Sequence, residues 1–91
     1  MTERLEIRVT GRVQGVAFRW YTREQAIAVG VVGSVRNLAD GSVRIVAEGR
    51  REALEALLLW ARRGPRHAHV DRCEASWQPP QGGLTDFLVT G

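Results

Sequence analysis

Residues 31–49, VVGSVRNLADGSVRIVAEG, constrain the fold more tightly than any other stretch of the chain. Two runs rich in β-branched residues flank Asp40-Gly41, and Asp-Gly between such runs marks a hairpin because both residues tolerate the backbone angles of a tight reversal. Strands over VVGSVRNL and SVRIVAEG should therefore pair antiparallel, which commits the chain to a sheet. The same period recurs on either side. Leu5, Ile7 and Val9 alternate with Glu6, Arg8 and Thr10, so residues 4–11 read as a strand with one buried face. VDRCEASWQ puts Cys73, Ala75 and Trp77 on one side, and LTDFLVTG does the same for Phe87 and Val89.

Between these strands the apolar period changes to that of a helix. In REALEALLLWARRGP, the residues Ala53, Leu54, Leu57, Leu58, Trp60 and Ala61 make one apolar stripe. Glu52 and Glu55 suit its positive N-terminus, Arg62 and Arg63 its negative C-terminus, and Gly64-Pro65 ends it. A first helix over residues 21–29 places Tyr21, Gln25, Ala28 and Val29 on one side and stops at Gly30. The order β-α-β-β-α-β, with a short fifth strand, predicts an α+β, ferredoxin-like split βαβ sandwich with two helices on one face of an antiparallel sheet. The Pro/Gly cluster QPPQGG at 78–83 is a loop between strands. With 91 residues, 44% of them hydrophobic, residues 1–91 are expected to form a single domain with one site.

Composition narrows the partners. No apolar run approaches the length of a membrane span, and MTERLEIRV is charged and alternating, unlike a signal peptide. The expectation is a cytoplasmic protein with no membrane partner. A single cysteine excludes an internal disulfide. The formal charge is +3 and all 13 basic residues are arginine, which favours anionic ligands at any working pH.

One segment stands out as chemistry. GRVQGVAFR, residues 11–19, joins the first strand to the first helix through two glycines and closes on an arginine. A glycine loop feeding a helix gathers backbone N–H groups around one point, and the helix N-terminus adds partial positive charge. Arg19 would supply a planar fork matched to a phosphoryl or carboxylate group. No Gly-Lys-Ser/Thr follows Gly15, so this is not a Walker A loop. On these residues alone a second reading stands beside the first: the glycines permit a tight turn and Arg19 is a solvated first-turn arginine. Asn37, at the end of strand two, could project its amide near this loop.

GRVQGVAFR together with GSVRNLADGSV and GPRHAHVD resembles the acylphosphatase family, and the resemblance runs over essentially the whole chain. It implies that Arg19 binds the phosphate, that Asn37 positions the attacking water, and that the backbone amides of Gln14, Gly15, Val16, Ala17, Phe18 and Arg19 hold the phosphate oxygens. Ser34 stands where many members carry a larger residue. The implied partners are a small acyl phosphate and inorganic phosphate, with no metal or cofactor, in a monomer. The implied reaction is hydrolysis of the acyl phosphate to carboxylate and inorganic phosphate. Its leaving group is already a weak base, so the absence of histidine or glutamate from both motifs fits.

Other features take plainer readings. CEASWQP has neither a phosphate loop nor a following arginine, so Cys73 reads as a buried strand cysteine rather than a nucleophile. His67 and His69 have no third ligand near them in sequence. An RNA-binding module of the same topology needs aromatics on its central strands, and SVRIVAEG has none. A non-catalytic regulatory domain that only binds an anion is the other rival.

Overall fold

The computed structural model describes residues 1–91, and alternation builds most of it. β1 (Thr2–Arg12) turns Leu5, Ile7 and Val9 inward, while β3 (Val43–Arg50) meets it antiparallel with Leu5 opposite Ala47, Ile7 opposite Ile45 and Val9 opposite Val43. β2 (Val32–Asn37) pairs antiparallel with β3 and puts Val35 opposite Ile45 and Asn37 opposite Val43. β4 (His69–Gln78) lies antiparallel on the other side of β1, and β5 (Phe87–Thr90) completes the order β4-β1-β3-β2-β5. α1 (Phe18–Val29) and α2 (Arg51–Arg63) close the core, where Phe18, Leu54, Leu57 and Ala61 join the inward strand residues. This is the expected ferredoxin-like arrangement, and no helix in it is long and apolar enough to cross a membrane.

The sheet is mixed rather than antiparallel throughout. β5 runs parallel to β2, with Gly33 opposite Phe87 and Arg36 opposite Thr90. The cause is the connection from β4, which travels from one edge of the sheet to the other. Glu48 anchors that crossing: its carboxylate accepts from the Gln81 N–H at 2.9 Å, the Gly82 N–H at 3.1 Å and Arg4 Nη1 at 2.9 Å. The Gln81 N–H leads these donors in holding the Glu48 carboxyl below its ordinary range, against the opposing effect of burial.

Three local features differ from expectation. α1 begins at Phe18, three residues early, and buries Phe18, Thr22 and Ala26 instead of the Tyr21, Gln25, Ala28 and Val29 side. Phe18 sets this register by packing on Trp60 with ring centroids 5.4 Å apart, and Thr22 satisfies its buried hydroxyl by donating to the Phe18 carbonyl at 2.8 Å. Cys73 is only half-buried, because β4 is an edge strand; burial still raises its thiol pKa, partly offset by Arg62. The hairpin spans five residues, with the Leu38 N–H on the Ser42 carbonyl and the Gly41 N–H on the Leu38 carbonyl. Asp40 stabilises it by accepting from the Ser42 N–H and hydroxyl, which with Arg8 hold its carboxyl down to about 2.

Candidate active site

The segment between β1 and α1 forms a cradle of donors. Gly15 has φ 76° and Ala17 has φ 61°, ψ 26°, and the only non-glycine residue of the chain with positive φ is Ala17. Left-handed residues spaced this way turn successive N–H groups toward one concave side. None of the backbone N–H groups of Gln14, Gly15, Val16 and Ala17 donates within the protein. Phe18 and Arg19 follow in the first helical turn, where amides have no intrahelical acceptor. Six adjacent donors at a helix N-terminus suit an anion.

Each member of the loop has a separate side-chain task. Gln14 Nε2 donates to the Leu38 and Ser42 carbonyls at 2.8 and 3.0 Å, which ties the loop to the β2–β3 hairpin. Phe18 is in the core and offers only its backbone to the cradle. The first glycine of the motif lies outside it: Gly11 has φ 127° at a register shift between β1 and β4, and a Cβ there would lie 2.2 Å from the His69 carbonyl oxygen. Its work is a β-bulge, not anion binding.

Ala17 pays for the cradle in strain. An alanine in the left-handed region costs about 1–2 kcal/mol, partly offset because glycine is more disordered when unfolded. Ala17→Gly should therefore stabilise the protein by about 0.5–1 kcal/mol. Urea unfolding would show this as a raised midpoint at unchanged slope; a lowered midpoint would mean that the methyl group has packing value.

Arg19 and Asn37 reach the same cleft as this loop from different elements. Gly15, Ala17, Arg19 and Asn37 line one cavity of about 690 Å³. Arg19, in the first turn of α1, donates from Nη1 to the Gly91 carbonyl at 2.8 Å, with a longer contact to Thr90 at 3.5 Å. Asn37 ends β2 on the face of Val35, the helix side of the sheet, which is why its amide lies by the loop. Its Oδ1 is buried without a hydrogen-bond donor, an uncommon state for a polar atom in a folded protein.

A family model described as Acylphosphatase matches residues 5–89. The chain belongs to the acylphosphatase family. It is 50% identical over 88 residues to an acylphosphatase of Thermococcus kodakarensis, covering 97% of this chain and 96% of that relative. An acylphosphatase of Rubrobacter xylanophilus is 48% identical over 88 residues, covering 97% of this chain and 80% of the relative. The crystal structure of acylphosphatase from Bacillus subtilis superposes with a TM-score of 0.94 at 31% identity and full coverage of both chains. Identity of this extent over nearly the whole chain makes this acylphosphatase-family member an enzyme, and one of acylphosphatase type.

The acylphosphatase cleft also contains residues that sequence reasoning passed over. Trp20, Arg23, Ile27, Asp86, Leu88 and Val89 line it beyond the loop. The i, i+4, i+8 spacing of Arg19, Arg23 and Ile27 was the available signal, but it required the true start of α1. His67 and His69 are exposed outside the cleft, and His69 Nε2 lies 3.1 Å from Asp71.

Proposed function

We propose that this protein hydrolyses the carboxyl–phosphate bond of small acyl phosphates, giving a carboxylate and inorganic phosphate. The loop amides from Gln14 to Arg19 hold the phosphoryl oxygens, and the Arg19 guanidinium neutralises the charge that builds on them. Water forms a bond to phosphorus as the acyl oxygen leaves with its electron pair. The departing carboxylate is a weak base and needs no proton.

The observation that carries the reading is the orphaned Asn37 Oδ1 beside a cradle of free N–H groups. An anion-binding module requires the cradle alone. An acceptor with no protein donor suits a water that must be aimed, and a half-turn about χ2, a soft torsion, presents Oδ1 to the cleft. An amide cannot deprotonate water at neutral pH, so Asn37 orients it, and a phosphoryl oxygen of the substrate takes the proton. The cleft supports this division of labour, since its charged side chains are Arg19, Arg23 and Asp86, with no histidine among them.

We propose further that the protein acts as a single-domain monomer in the cytoplasm, without metal, nucleic acid or membrane. Arg19 and the amides supply the positive charge a metal would otherwise bring. The sheet face away from the helices carries Arg4, Glu6 and Arg44 in ion pairs rather than aromatics that stack on bases. Benzoyl phosphate hydrolysis by the purified protein tests the proposal. The rate should far exceed buffer, survive a chelator, and show no essential group titrating near neutrality. Loss of activity with chelator, or a rate no better than buffer from folded protein, would overturn it.

A further inference from the structure

The cleft extends well beyond what a phosphoryl group occupies. It runs as a groove between α1 and β5, with Arg19 and Asn37 at one end. Arg23 and Ile27 follow on the same line of α1, one and two turns on, which by helical rise is about 6 and 12 Å from Arg19. β5 forms the facing wall through Phe87 and Val89, which lie on the helix side of the sheet with Gly33 and Val35, while Leu88 stands with Ser34 on the opposite face. Asp86 lines the groove just before β5 begins. Trp20, Ile27 and Val89 remain 55, 53 and 42% exposed, and these three large apolar side chains converge on this one groove.

Charge along the groove is arranged against a second anion. The Arg23 guanidinium lies 5.8 Å from the Trp20 ring centroid and 3.4 Å from the Glu24 carboxylate, so its charge is already matched. Asp86 also lines the groove, and its carboxylate makes no ion pair. Apolar surface removed from water favours binding in proportion to its area, so the occupant that fits is an uncharged hydrocarbon continuous with the phosphoryl group.

We propose that this groove is an acyl-chain subsite, and that the enzyme prefers acyl phosphates with extended, uncharged apolar acyl groups over acetyl phosphate. Trp20, Ile27 and Val89 are its specificity-determining contacts. The proposal rests on the acylphosphatase reading above, and the test separates the two.

Acetyl, butyryl and hexanoyl phosphates release carboxylates of nearly equal basicity, so differences in kcat/KM among them report contacts with the chain. Each added methylene should raise kcat/KM by about two- to fourfold, which places hexanoyl phosphate roughly 20- to 200-fold above acetyl phosphate. The double variant Ile27→Ser, Val89→Ser changes exposed positions outside the core and should lower that ratio by about tenfold. A flat series with acetyl phosphate readily hydrolysed, or a ratio unmoved in the double variant, overturns the subsite and leaves the hydrolase reading standing. Failure to hydrolyse any member overturns both.

Discussion

Arg19→Ala should lower kcat/KM for an acyl phosphate by about a thousandfold or more, and Arg19→Lys should recover little of it. The scale follows from removing a charged donor that stabilises a transferring phosphoryl group. Arg19 has its Nη1 engaged with the Gly91 carbonyl, which leaves Nε and Nη2 as a pair of adjacent donors. Lysine keeps the charge but cannot offer two parallel hydrogen bonds from a planar group. Competitive inhibition by inorganic phosphate should weaken along with turnover. The side chain is only half-buried and its bond to the Gly91 carbonyl is exposed, so unfolding free energy should stay within about 0.5 kcal/mol of wild type. Near-normal kinetics in Arg19→Lys would remove the arginine from the phosphate site.

Asn37→Ala should separate turnover from binding. We expect kcat to fall by about 100- to 1,000-fold, as for other positioned polar groups, while inhibition by phosphate changes no more than about threefold. Stability supplies the second readout. A buried acceptor without a donor costs about 1–3 kcal/mol, so its removal should leave the protein as stable as wild type or more so. A residue kept for structure would show the opposite, a stability loss with kcat little changed. Equal losses of turnover and phosphate affinity would instead make Asn37 part of the cradle.

Where sequence reasoning succeeded, the responsible interactions are local. Alternation in residues 4–11 gave the inward face of β1, the apolar stripe of residues 53–61 gave α2, and Asp40-Gly41 gave the β2–β3 pairing. The placing of Asp40-Gly41 in a five-residue hairpin with an Asp40 cap needed coordinates, because the cap depends on how Ser42 is turned. The α1 face failed for a related reason. Its buried residues are Phe18, Thr22 and Ala26, a weakly apolar set whose inward position comes from Phe18 packing on Trp60 of α2. Small side chains let that helix lie against the sheet while Trp20, Tyr21 and Ile27 stay outside.

The site divides along the same line. Sequence alone determined that a glycine loop ending in an arginine feeds a helix, and that an asparagine closes the next strand, because composition and short-range spacing carry those facts. Only the tertiary structure decided that Gly11 makes a bulge while Ala17 takes the left-handed angle, that β5 runs parallel to β2, and that its Val89 faces α1 across the cleft. Those outcomes are set by contacts between residues far apart in the chain, such as Glu48 with Gln81 and Gln14 with Leu38. A local pattern has no access to them, since each depends on which distant group arrives to satisfy a buried hydrogen bond.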